Sequence, residues 1–159
     1  MKPYADTNLF TRLYLQLPDT AEAIALAAAA REAVAEPLPI FWLHRVELAN
    51  AFEMHVFFGR QPGHVRVTTE QAAAAVANFR EDLAAGAFLR PARLSETLLE
   101  DEFTALSGQF TAKHGFRAYD ILHVAAARLL GCDTFLSFDG RAAKLAKLAG
   151  LKTQPRPPA

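Results

Sequence analysis

Short apolar runs that end in Asp or another polar residue alternate along this chain with longer stretches of helical period. A buried parallel strand needs the first kind of segment and a crossover helix the second, so the alternation predicts βα units and a mainly parallel sheet. The fold class is therefore α/β. With 159 residues, 52% of them hydrophobic, the chain suits one globular domain with a substantial core. We expect that domain at residues 1–151 and a C-terminal tail at 152–159.

A first strand at residues 3–6 feeds a helix from Thr7 that Pro18 closes, and Asp19-Thr20-Ala21-Glu22 reads as a capping box for a second helix ending before Pro37. Leu38 to Trp42 reads as a strand. Leu43 to Phe58 then reads as a helix with Val46, Leu48, Ala49, Phe52, Val56 and Phe57 on broad apolar faces, stopped by Gly59 and Pro62. Thr69 is expected to cap a helix running to Ala85 and ended by Gly86, before a short strand from Phe88 to Arg90. Helices at 96–113 and 119–130, a buried strand at 134–137 and a last helix at 141–149 follow. The Pro-rich end from Pro155 to Ala159 cannot continue a helix and is expected to be extended or mobile.

The Ala-rich stretch from Ala23 to Ala30 is too short to span a bilayer, and neither a signal peptide nor a membrane anchor is expected. Cys132 is the only cysteine, which excludes an intrachain disulfide, a thiolate zinc site and a CxxC redox pair. A reducing cytoplasm is the simplest compartment. The net charge of zero argues against a constitutively basic nucleic-acid wrapper, yet residues 1–111 carry 9 Lys+Arg against 14 Asp+Glu and residues 112–159 carry 8 against 3. Arg141, Lys144, Lys147, Lys152 and Arg156 follow the last acidic residue, so a polyanion meeting the acidic residues would find positive charge beside them. A solvated helix face and tail accounts for the same charges.

Asp6, Glu47, Asp120 and Asp139 each fall at a handover from strand or loop to helix, or in a helix's first turns, inside strongly apolar sequence. In open parallel sheets ligands bind outside the carboxyl ends of strands, where Asp6 and Asp139 are placed. Two carboxylates about 4 Å apart repel by roughly 4 kcal/mol at an effective dielectric of about 20. A divalent cation removes that objection, and oxygen donors without a Cys cluster favour Mg2+ or Mn2+ over zinc. Helix capping is the competing account of Asp6 and Asp120, and a simple turn that of Asp139-Gly140. Glu47, inside an apolar helix, is not explained by capping, although a surface pair with Arg45 or Arg12 would hold it. His123, three residues after Asp120, either orients that carboxylate or a metal-bound water, or packs in the core among its apolar neighbours.

The phrases Ala5-Asp6-Thr7-Asn8, Val46-Glu47-Leu48-Ala49, Tyr119-Asp120-Ile121-Leu122-His123-Val124-Ala125-Ala126-Ala127 and Leu136-Ser137-Phe138-Asp139-Gly140-Arg141 resemble, in order and context, the acidic motifs of the PIN-domain family. The resemblance runs from about Lys2 to Leu151 and is greatest to the VapC-like toxins of prokaryotic toxin–antitoxin pairs. It implies an α/β/α sandwich with a central parallel sheet, and a Mg2+- or Mn2+-dependent endoribonuclease acting on RNA and inhibited by a cognate antitoxin. By motif match, Asp6, Glu47, Asp120 and Asp139 are the acidic quartet of metal ligands and catalytic groups. Thr7 takes the hydroxyl position after the first Asp, to hold a metal water or cap the first helix. Asn8 is the polar follower, expected to cap. Arg117 or Arg141 would neutralise a scissile phosphate.

His44-Arg45 is more polar than that family's pattern, and the segment from Phe57 to Thr68 is long for a minimal toxin. Apolar side chains around Leu13, Tyr14, Phe57 and Phe58 would meet an antitoxin helix or, in a homodimer, a second copy of the chain, with core burial the alternative for each. Two other functional classes fit parts of the sequence. One is a non-catalytic binding module built on the acidic pocket. The other is a phosphatase with Asp6 as nucleophile, opposed by Asn8 standing where the second Asp of that chemistry belongs.

Overall fold

The structure, a computed structural model, describes residues 1–33 and 36–155. The α/β class is as expected, and every strand pairing is parallel. The described residues divide into two compact units, one of residues 1–6 and 93 onward, the other of Thr7–Ala92.

In the first unit, β1 (Pro3–Ala5), β4 (Thr134–Leu136) and β5 (Lys152–Gln154) form a sheet in the order β1-β4-β5. Three helices belong to it: α5 (Glu96–His114), α6 (Ala118–Leu129) and α7 (Gly140–Leu148). Tyr4 and Phe135 stack with ring centroids 5.6 Å apart. The sheet's helices present small side chains to the core: Val124 and Ala125 to Ala127 on α6, and Ala142 and Ala146 on α7. Short side chains let helix backbones approach closely, and their burial supplies about 25 cal/mol per Å² of apolar surface. Lys152 to Gln154, expected in the tail, instead pair with Thr134 to Leu136 as β5. Residues 156–159 of that tail lie outside the described residues.

The second unit pairs β2 (Leu38–Ile40) with β3 (Leu89–Pro91) and carries α1 (Thr7–Tyr14), α2 (Thr20–Ala33), α3 (Trp42–Phe58) and α4 (Thr69–Ala85). Four local readings are corrected. Trp42 opens α3 instead of ending β2. Thr68, not Thr69, caps α4: its hydroxyl accepts the Gln71 N–H at 3.2 Å while the Gln71 side chain accepts the Thr68 N–H at 2.8 Å. Asp19 makes no capping box; it sits at φ 68° with its carboxylate 3.8 Å from Arg12 Nε, and the Thr20 hydroxyl accepts the Leu17 N–H at 3.0 Å. On α3, Leu48, Phe52 and Val56 are buried, but Val46 and Phe57 are 55% and 54% exposed.

His44 is fully buried, edge-on to Phe10 and Phe41, with its Nδ1 accepting the Phe41 N–H at 3.3 Å. This accounts for a histidine in an apolar stretch. Gly59 ends α3 where a Cβ would lie 2.7 Å from the Val67 backbone nitrogen, so the long connection to α4 closes back on this residue. Among the described residues, no helix is long and apolar enough to cross a membrane.

Candidate active site

The register of β1 on β4 builds the first part of the site. Ala5 lies opposite Leu136, and the Asp6 N–H extends the ladder to the Leu136 carbonyl at 3.1 Å. One residue further along, Asp6 meets Ser137, whose hydroxyl donates to Asp6 Oδ2 at 2.5 Å. Asp6 is only 4% exposed, and a buried carboxylate requires such charge-assisted donors. The same Ser137 oxygen accepts the Asp139 N–H at 2.9 Å, tying both acidic positions to one hydroxyl.

Asp139 caps α7. Its Oδ1 accepts the N–H groups of Arg141 at 2.8 Å and Ala142 at 3.3 Å, satisfying donors that open the helix. Asp120 reaches back from the first turn of α6, where its Oδ2 accepts the Arg117 N–H at 3.2 Å. Capping thus accounts for Asp120 as expected and for Asp139 in place of the simple turn expected there, and each cap occupies one carboxylate oxygen. Asp120 Oδ1 and Asp139 Oδ2 accept no hydrogen bond among the described residues.

Burial holds the Asp120 carboxyl above the usual aspartate range. The Arg117 N–H opposes that rise, the Asp139 charge adds to it, and the Arg117 and Arg141 charges offset part of it. Two acidic groups within electrostatic reach, each with an open oxygen, have the donor chemistry of a hard-cation site. No group of three or more His, Cys, Asp or Glu side chains stands at metal-holding spacing among the described residues. A Mg2+ ion held through one or two carboxylates, with water completing its shell, does not require one.

His123 is buried, and its Nδ1 shares a 2.7 Å hydrogen bond with the Tyr4 hydroxyl. This is the packed-core placement, and Tyr4 is its anchor. Arg117 and Arg141 are exposed beside the Asp120 carboxyl.

Thr7, Asn8 and Glu47 belong to the second unit. The Thr7 hydroxyl donates to Glu47 Oε2 at 2.6 Å, so Thr7 orients a carboxylate. Asn8 is not a cap through its side chain: its Oδ1 accepts from Arg12 one turn later at 2.5 Å. Tyr14 is half-buried and donates to Asp82 at 2.7 Å, and burial together with Asp82 pushes its phenol well above the usual range. Leu13 and Phe58 are likewise half-buried, and Phe57 is the exposed member of that set.

Sequence reasoning assigned no role to Ser137 or Tyr4. The spacing Ser137-Phe138-Asp139 carried the signal for a hydroxyl folding back on the N–H two residues on. Nothing local carried its bond to Asp6.

No family model and no curated protein matches the sequence. Solved structures do resemble the fold. VapC20 of Mycobacterium tuberculosis, described as a sarcin-ricin loop cleaving toxin, aligns at a TM-score of 0.56 with 18% identity, over 94% of this chain and 95% of that one. FitAcB of Neisseria gonorrhoeae aligns at a TM-score of 0.57 with 14% identity, over 95% of each chain. At such identities the likeness is one of fold, and that fold is the PIN-like one expected.

Proposed function

We propose, from the PIN-like fold that this chain shares with VapC20 and FitAcB, that it is a metal-dependent endoribonuclease and the toxin of a toxin–antitoxin pair. The observation that carries this reading is the gathering of Asp6, Asp120 and Asp139 onto one unit at the ends of β1 and β4 and the start of α6, with open carboxylate oxygens on the last two.

A bound Mg2+ or Mn2+ supplies polarisation of a phosphoryl oxygen and activation of a water for in-line attack. Asp120 and Asp139 would hold the ion, with the Asp6 carboxyl oriented by Ser137. Glu47, whose carboxylate the Thr7 hydroxyl holds within the second unit, is proposed from its acidic phrase as a further ligand or a water-positioning group. Arg117 and Arg141 balance charge on the scissile phosphate. An antitoxin and a second copy of the chain are the protein partners proposed, with exposed Phe57 a contact for either and the cytoplasm as the compartment.

Asp120→Asn is the decisive variant, because an amide oxygen still accepts the Arg117 N–H while the anionic ligand is lost. Mn2+-stimulated cleavage of RNA should fall to background with the circular dichroism spectrum unchanged. Undiminished cleavage by a clean preparation would falsify the assignment. The small number of clustered donors favours a second reading, a non-catalytic module. That reading requires Asn or Gln at Asp6, Glu47, Asp120 and Asp139 to leave the chain's effect on cell growth intact. The phosphatase reading is weakened further by Asn8, whose side-chain oxygen is engaged by Arg12.

A further inference from the structure

The open carboxylates at α6 and α7 are bordered by cations that the fold does not need. Arg117 occupies the N-cap of α6 and Arg141 the first turn of α7. Helix N-termini carry partial positive charge, so cations there oppose the macrodipole. Lys144 and Lys147 continue the face begun by Arg141 at spacings of three, exposed opposite the buried Ala142, Leu145 and Ala146. Lys113 and His114, in the last turn of α5, extend the same positive region: the His114 imidazolium is disfavoured by partial loss of water and then by the charges of Lys144 and Lys113. Among the described residues, none of Lys113, Arg117, Arg141, Lys144 and Lys147 takes part in an ion pair.

Within this region an aromatic ring stands in water. Tyr119, between Arg117 and Asp120, is 59% exposed on a helix whose segment from His123 to Ala127 is buried. Exposing a phenol ring gains nothing for the core, and along the chain it lies two residues from Arg117 and next to Asp120. An exposed flat ring on the helix turn that carries an unpaired cation has the chemistry that binds single-stranded nucleic acid, bases stacking on the ring and phosphates following the charge.

Resting on the nuclease reading above, we propose that the α5 terminus, the α6 start and the α7 face form a track for single-stranded RNA. Tyr119 stacks a nucleobase next to the scissile phosphate, and Lys113, His114 and Lys144 hold a phosphate further along the strand. Tyr119 is thereby a specificity-determining residue, because it requires an unpaired base beside the cleaved bond. A duplex, whose bases are already stacked, is excluded.

The test uses the full chain and a short fluorescein-labelled single-stranded oligoribonucleotide in EDTA, which stops turnover, with affinity read by anisotropy over a range of salt. Each phosphate contact on a single strand contributes about 0.7 to the slope of log affinity against log salt, so Lys113→Ala combined with Lys144→Ala, which frees the phosphate they share, should flatten it by about 0.7. Tyr119→Ala should weaken binding about 5- to 150-fold and Tyr119→Phe should restore it, as expected for one stacked base. These side chains are exposed, which keeps the variants folded. Unchanged affinity and slope in the double variant and in Tyr119→Ala would overturn the track. So would variants that keep RNA binding but lose the wild type's binding to phosphatidylglycerol vesicles, measured alongside by sedimentation. Wild-type protein that binds RNA with this dependence but shows no Mn2+-stimulated cleavage would sink the nuclease reading and leave the track standing. Wild-type protein that binds no RNA in EDTA yet cleaves it with Mn2+ would overturn the track and leave the nuclease reading standing.

Discussion

Ser137 holds Asp6: its hydroxyl donates to Asp6 Oδ2 at 2.5 Å, across 131 residues of chain, where β1 and β4 end side by side. The carboxyl group is buried, and the bond gives one of its oxygens a fixed partner. This pair makes the end of the sheet an organised acidic position.

Removing that donor has a measurable cost. Ser137→Ala should destabilise the protein by about 1.5–3 kcal/mol, the range for hydrogen bonds to charged groups. Urea unfolding followed by circular dichroism checks it, with a lower midpoint and an unchanged slope expected. A midpoint equal to wild type would show that the bond contributes nothing net.

The Asp120 carboxyl gives the protein an acid-range signature. Its folded-state pKa is raised, mainly by burial, so the folded chain keeps this proton at pH values where the unfolded chain has lost it. Stability from the neutral carboxyl is complete below the unfolded value and is lost as pH rises through the folded one. Asp120→Asn has no such loss, so its stability relative to wild type should increase with pH over that window and level off above it. A pH-independent difference in unfolding midpoints would contradict the raised pKa.

Cation binding should reverse that shift. A divalent ion at Asp120 favours its anionic form, so adding Mg2+ should move the carboxyl titration downward and release a proton. Side-chain carbon NMR of Asp120, with and without Mg2+, reads this independently of cleavage. An unmoved titration at saturating Mg2+ would remove Asp120 from the ligand set.

Tyr4 and His123 form a buried pair that serves the fold. Tyr4→Phe removes the hydroxyl from His123 Nδ1 with little change in shape and should cost about 1–3 kcal/mol. Thermal melting of the variant provides the measurement. An unaltered melting temperature would show that the histidine nitrogen is satisfied equally well without it.

Gly59 is needed for space. A methyl group there would meet three backbone atoms of Val65, Arg66 and Val67 between 2.7 and 3.1 Å, and backbone cannot rotate aside as a side chain can. Gly59→Ala should therefore cost about 1–3 kcal/mol, in the range of overpacking, and loosen the segment that follows. Protease cutting between Arg60 and Arg66, faster than in wild type, is the expected sign.

Much of the chain was legible because its signals act over one helical turn. Gly86 and Gly115 end α4 and α5 in the left-handed conformation, and the apolar runs before Asp6 and Ser137 are strands. Signals one residue apart compete on nearly equal terms, which is why Thr68 takes the cap expected of Thr69 and Trp42 joins a helix instead of a strand. Apolar character alone did not locate the buried face of α3, since Val46 and Phe57 face water while His44 is enclosed.

By itself the sequence determined the α/β class, most helix limits to within about a residue and the placing of Asp6, Asp120 and Asp139 at strand ends and helix starts. Those outcomes follow from hydrophobic period, capping and turn chemistry, all read within a few residues. Tertiary structure alone decided that Ser137 holds Asp6, that Thr7 takes Glu47 while Asn8 goes to Arg12, that Lys152 to Gln154 join the sheet, and that Tyr119 stands exposed. Strand register and helix packing choose those partners, and both pair residues whose separation along the chain carries no local signal.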